Sequence, residues 1–219
     1  MSAFNLSKGS SFNLSKAAPG IKIAGVGLGW KENEDPTGPV FDLDVSAFCL
    51  GEDGQIPEMT DLVFYGSGLK NEYEGEDGER PYSTDGAVLG AIDEIGGGDD
   101  DDDDGDQEDM RIYFDNVADN IKTIMIVVTI TKYPHDEQKD KRTLDLDMSQ
   151  VTGTYCRIWD ESSDTELCRY TLSDDFGKED AVEIGKFERD SSGEWNFTAI
   201  GNGMVGGLMS LIKKYAKRF

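Results

Sequence analysis

The residues of this chain best placed to do chemistry are its carboxylates, and the chemistry they suit is holding a hard cation. Asp99 to Asp104 form an unbroken run of six aspartates within an acidic segment, Asp93 to Asp109, that carries eleven carboxylates and no Lys or Arg. Like charges so closely spaced repel one another strongly, so the segment must be freely solvated or neutralised by a bound cation. A second set, Asp42-Leu43-Asp44, lies in the alternating stretch Phe41–Phe48. Residues two apart in a strand share a face, so Phe41, Leu43, Val45 and Ala47 point to a core while Asp42, Asp44 and Ser46 line the other side. Strand carboxylates facing an acidic loop would supply the roughly six to eight oxygens that calcium takes, whereas magnesium keeps more water. The alternative at this level is a solvent-facing strand edge beside a solvated loop. The dyad recurs as Asp145-Leu146-Asp147.

Other templates fit less well. Asp100-x-Asp102-x-Asp104-Gly105 matches the opening of an EF-hand loop, but the position that needs a bidentate Glu is Arg111, and a strand pattern follows. His135, the single histidine, sits in a polar turn, Tyr133-Pro134-His135-Asp136, and reads as a surface residue. With the lone histidine read as a surface residue and no CxxC pair, neither a histidine-based triad nor a zinc set is expected. Gly25-x-Gly27-x-Gly29 lacks the spacing and following helix of a dinucleotide loop and reads as strand glycines before Trp30. Paired acids could hydrolyse a polymer, yet nothing distinguishes one proton donor among 45 acidic residues. The expectation is a protein that is not an enzyme. Cys49, Cys156 and Cys168, odd in number, read as reduced thiols buried as small hydrophobes, although Cys156 and Cys168 on neighbouring strands could approach each other.

The elements that must position these groups are mostly strands. Ile21–Gly27, Phe41–Leu50, Leu62–Tyr65, Met110–Phe114, Ile121–Lys132, Thr154–Trp159, Glu166–Leu172, Ala181–Arg189 and Glu194–Ile200 are alternating or short apolar runs separated by Gly, Asp, Asn and Ser. About nine or ten strands so spaced predict an all-β fold, an antiparallel β-sandwich, formed as one domain over residues 1–219. Over Gly203–Lys217 the period changes. Met204, Leu208, Leu211, Ile212 and Tyr215 share a helical face, with Lys213, Lys214, Lys217 and Arg218 at the end favoured by the helix dipole, so a C-terminal helix is expected on the sandwich. Phe4-Asn5-Leu6-Ser7-Lys8 returns as Phe12-Asn13-Leu14-Ser15-Lys16, a repeat too short for a solenoid that predicts two strands joined at Gly9-Ser10. The chain is 37% hydrophobic, enough for a core, and its net charge is −24. Such a surface disfavours nucleic acid and anionic lipid and favours cations or basic partners. With no apolar run of spanning length and no apolar signal core in residues 1–16, a cytoplasmic protein without a transmembrane segment is expected.

Several ordered motifs resemble the TerD family of tellurium-resistance and general stress-response proteins. They are Gly27-Leu28-Gly29-Trp30, Phe41-Asp42-Leu43-Asp44 with Ala47-Phe48, Phe64-Tyr65, the run from Val151 into Arg157-Ile158, Glu166-Leu167-Cys168-Arg169-Tyr170-Thr171-Leu172, and Glu194-Trp195-Asn196-Phe197-Thr198-Ala199-Ile200-Gly201. The resemblance covers nearly the whole chain and implies a β-sandwich that binds calcium in its loops. Ile92-Asp93-Glu94-Ile95-Gly96-Gly97 stands where the family carries a GDNLTG-like stretch, and Asp103-Asp104-Gly105-Asp106-Gln107-Glu108 aligns with its GDGDDE-like stretch. It implies Asp42, Asp44, Asp93, Asp104, Asp106 and Glu108 as calcium ligands, with Asp85 as a further candidate. Asp99 to Asp103 then become an expansion of the binding loop, and Gly66–Tyr82 an insertion. The function implied is calcium binding that orders acidic loops for docking of protein partners in a stress-response complex. The alternative is a metal-independent module whose polyanionic loop binds a basic partner.

Overall fold

The computed structural model describes residues 3–35, 37–76, 78–93, 105–132, 145–172 and 176–217. In chain order the elements are β1 (Phe4–Leu6), β2 (Ser11–Asn13), α1 (Leu14–Ala17), β3 (Ile23–Gly29), β4 (Leu43–Gly51), β5 (Leu62–Val63), β6 (Lys70–Glu72) and β7 (Glu79–Pro81). There follow β8 (Val88–Leu89), β9 (Glu108–Tyr113), β10 (Ile121–Ile130), β11 (Tyr155–Asp160), β12 (Thr165–Thr171), β13 (Ala181–Arg189), β14 (Trp195–Met204) and α2 (Gly207–Tyr215). They build two six-stranded sheets, ordered β1-β12-β11-β3-β9-β8 and β2-β14-β13-β10-β4-β5, while β6 and β7 form a hairpin of their own. Within the two large sheets every pairing is antiparallel except β1 with β12.

All nine runs read from alternation are strands. Five further strands of two or three residues, β1, β2, β6, β7 and β8, join them. Strands so short hold too few positions for a period of two to show. The separate β6–β7 hairpin accounts for most of the segment that resembles an insertion.

Alternation builds the core. Leu43, Val45, Ala47 and Cys49 of β4 meet Ala24, Val26 and Leu28 of β3, together with Met110 and Ile112 of β9, in one cluster between the sheets. The opposite parity of β4 and β10 supplies Phe48, Leu50, Met125 and Val127 to a second cluster, roofed by Leu211 and Tyr215 of α2. The helical face read from the sequence is therefore the buried one, although Met204 ends β14 and only borders that cluster. Two acids of the β13 region hold the helix at both ends. Asp180 Oδ1 accepts from the amides of Gly206 (2.7 Å) and Gly207 (2.8 Å), satisfying donors a helix start leaves open. Glu183 accepts from the Tyr215 hydroxyl (2.6 Å) and pairs with Lys214.

No helix covers the outer face of the first sheet among the described residues; a planar layer of side chains does. Gly25, Gly27 and Gly29 leave a bare strip along β3, on which lie the Trp159 indole, the Asp106 carboxylate and the Tyr155 ring. A Cβ on Gly25 would fall 1.9 Å from the indole, and one on Gly27 2.0 Å from Asp106 Oδ2. Arg157 stacks on Trp159 at 4.6 Å and Arg169 on Tyr155 at 4.0 Å. The GxGxG spacing is thus a packing device.

The repeated pentapeptide places one copy in each sheet. Phe4–Leu6 pairs with β12 and Ser11–Asn13 with β14, with Gly9 at φ 79° between them. In the second copy Asn13 caps α1, accepting from the Lys16 amide at 2.7 Å. The three cysteines are free and buried, and burial pushes the thiol of Cys168 up to about 12 and that of Cys156 higher still. They are unreactive core thiols.

Candidate metal centre

Among the described residues β5 pairs only with Ala47 and Phe48, and no described strand covers the first half of β4 at that edge of the second sheet. The amide of Val45 on that edge is taken by Glu108, whose Oε2 accepts it at 2.6 Å. Glu108 opens β9 in the other sheet and shares its inward parity with Met110 and Ile112, so this carboxylate crosses from one sheet to the other. Asp44 sits next to Val45, with Oδ2 accepting from the Thr131 hydroxyl at 2.9 Å. The segment that leaves β8 brings in exposed Asp93. Asp44, Asp93 and Glu108 each bring a carboxylate oxygen to within 4.8 Å of the others.

This cluster is electrostatically uncomfortable. Asp42, Asp44 and Glu108 are each only 3% exposed. Burial, then the Asp42 charge and that of Asp93, push the Asp44 carboxyl up to about 7, against the opposing hydrogen bond from Thr131. Burial raises Glu108 well above the ordinary carboxylate range, with Asp44, Asp93 and Asp42 adding to it and the Val45 amide opposing. Among the described residues, the charges acting on these two groups are all carboxylates. Buried like charges either take up protons or share a cation. Among the described residues the donors are hard oxygens, without histidine or thiolate, so this set suits calcium or magnesium better than zinc. The calcium that the family resemblance implies therefore fits the residues present.

Two other residues expected at the site, Asp106 and Asp85, make their contacts elsewhere. Asp106 faces the outer layer of the first sheet, where both its oxygens accept from Arg157 Nε at 2.9 Å and Oδ1 also accepts from the Tyr155 hydroxyl at 3.1 Å. Asp85 holds a turn: Oδ1 accepts from the Ser83 hydroxyl (2.7 Å) and the Ala87 amide (3.0 Å), and Oδ2 from the Ala118 amide (3.0 Å). Asp104, the Asp99–Asp103 expansion and His135 lie outside the described residues. In the second dyad, Asp147 caps a short turn through the Ser149 amide at 3.1 Å.

Two positioning groups escape a reading of the sequence. One is Thr131. The other is Arg80, only 4% exposed, whose guanidinium donates to the carbonyls of Gly90 (3.0 Å) and Asp109 (2.7 Å). It ties the segment leading to Asp93 against the strand that carries Glu108. Its one sequence signal is that it is the single arginine in the acidic stretch Glu72–Glu79 and its flanks.

Two sheets packed face to face, with carboxylates gathered where one strand outruns its neighbour, define a β-sandwich with an acidic edge site. The same fold occurs in a homologue of telluride resistance protein (TerD) from Streptomyces coelicolor A3(2), with a TM-score of 0.63 and 19% identity, covering 90% of this chain and 100% of that one. The TerD domain matches residues 1–215, and the chain belongs to the TerD family. It is 36% identical over 211 residues to tellurium resistance protein TerD of Serratia marcescens, and 35% identical over 211 residues to general stress protein 16U of Bacillus subtilis (strain 168). Each alignment covers 96% of both chains. Tellurium resistance and general stress response are thus the roles that its named relatives carry. Among the described residues, no helix is long and apolar enough to cross a membrane.

Proposed function

We propose that this protein is a non-enzymatic calcium-binding module of the tellurium-resistance and stress-response type. Asp44, Asp93 and Glu108 hold the ion, and Asp42 adds negative charge beside it. One observation carries the reading: two buried carboxylates from opposite sheets meet an exposed third, and among the described residues the charges acting on the buried pair are all carboxylates. Bound calcium offsets their repulsion and fixes the start of the acidic segment at Asp93 and its end at Glu108. A protein partner docks on the loop so ordered. Because the ion favours the folded form alone, a hundredfold excess over its dissociation constant adds about 2.7 kcal/mol of stability.

Calorimetric titration of chelator-treated protein with calcium tests this, alongside an Asp44→Asn/Glu108→Gln double variant. Heat and a raised melting temperature in the wild type, both lost in the variant, are expected. Equal heats and equal melting temperatures in the two proteins would sink the proposal. Partner binding that ignores chelator but weakens steeply with salt would instead support direct recognition by the polyanionic segment, whose eleven carboxylates favour a basic surface.

A further inference from the structure

We infer that Thr131 is a positioning residue of this ion site, acting with the Val45 amide to make Asp44 and Glu108 each meet the metal through a single oxygen. The inference rests on the calcium reading above. The two donors engage one oxygen of each carboxylate, Asp44 Oδ2 at 2.9 Å and Glu108 Oε2 at 2.6 Å. Neither donor can drift. Val45 belongs to β4 itself, paired with Val128 of β10. Thr131 lies one residue beyond β10, and its amide donates to the Asp42 carbonyl at 2.8 Å, continuing the β4–β10 ladder past its last pair, Ile130 with Leu43.

The backbone that carries the Thr131 hydroxyl is therefore held by β10 and by β4, the strand that carries Asp44 and directly follows Asp42. A carboxylate oxygen held by such a donor is drawn away from chelation, which leaves Oδ1 of Asp44 and Oε1 of Glu108 for the ion. Single-oxygen ligands on a rigid frame are the geometry magnesium demands and calcium tolerates. The exposed Asp93 supplies the adaptable member that a larger ion needs. Thr131 thus bears on the choice between the two ions as well as on affinity. Without its hydroxyl, Asp44 can turn and offer both oxygens, an arrangement calcium accepts and magnesium does not.

The test compares Thr131→Val, which keeps the shape and removes the hydroxyl, with Thr131→Ser, which keeps the hydroxyl. Each chelator-treated protein is titrated calorimetrically with calcium chloride and with magnesium chloride, and melted without either ion. Loss of an outer-shell hydrogen bond is expected to weaken calcium binding about 10-fold in Thr131→Val and magnesium binding by more, with Thr131→Ser within about twofold of wild type. A calcium-to-magnesium affinity ratio in Thr131→Val equal to that of wild type would overturn the inference, even if the ion-free melting temperature fell. That result, with wild type still binding calcium, leaves the calcium reading standing. A wild type that takes up neither ion overturns both.

Discussion

The ion-free protein should be less stable in neutral solution than in mild acid, and Asp44 allows the size of that effect to be worked out. Its carboxyl rises from an ordinary value of 3.8 to about 7 in the folded chain. A group raised on folding contributes stability that is complete below its unfolded pKa and disappears as pH climbs through its folded pKa. The window therefore runs from about pH 4 to about pH 7. At about 1.4 kcal/mol for each pH unit, the span amounts to about 4 kcal/mol. For a chain of this length that corresponds to a fall in melting temperature on the order of 10 °C. Thermal melts in chelator between pH 4 and pH 8, followed by circular dichroism, would measure it in wild type and in Asp44→Asn, which stays neutral throughout. The wild type should lose melting temperature steadily up to about pH 7, and Asp44→Asn should lose much less. General repulsion within an acidic chain and the burial of Glu108 act on both proteins, so their difference isolates Asp44. Parallel curves for the two proteins would refute the reasoning.

Two further outcomes follow from the geometry. Asp106→Asn should cost about 2 kcal/mol in urea unfolding, because Arg157 loses the carboxylate it grips, yet calcium affinity should stay within about twofold of wild type. A tenfold loss of affinity with unchanged stability would place Asp106 among the ligands after all. Gly25→Ala should lower stability by about 2 kcal/mol or more and shift tryptophan fluorescence, because the new methyl must displace the Trp159 indole from beneath Arg157. An unchanged melting curve and emission spectrum would mean that the indole layer is not what the glycines accommodate.

The long strands were legible because burial on one face writes a period of two into the sequence, as in Leu43-x-Val45-x-Ala47-x-Cys49. The same alternation assigned Asp42 and Asp44 to one face. It could not show that both acids are buried, nor that Glu108 reaches the neighbouring Val45 amide from the other sheet, 63 positions further along the chain. Asp106 shows the opposite failure. It belongs to a ligand-like motif, but its neighbours in space are alternate residues of β11, Tyr155 and Arg157, and no local pattern reveals that pairing. Arg80 gave only a faint signal for a related reason: what ties it to Gly90 and to β9 includes main-chain carbonyls, which every residue possesses.

The twin pentapeptide has a consequence for how the molecule is made. Phe4 must find Cys168, and Phe12 must find Phe197, so the arm that borders both sheets makes its contacts across most of the chain. Such distant pairings form late, because loop closure costs entropy before any contact rewards it. On a ribosome adding roughly 5–20 residues per second, the arm waits roughly 10–40 s for its partner strands to be synthesised. Throughout that interval Phe12 and Leu14, both buried in the finished protein, have no native place to go. The arm is a clasp that fastens only after the last strand emerges, and that delay is when a nascent chain of this fold is most open to capture by a chaperone or by another copy of itself.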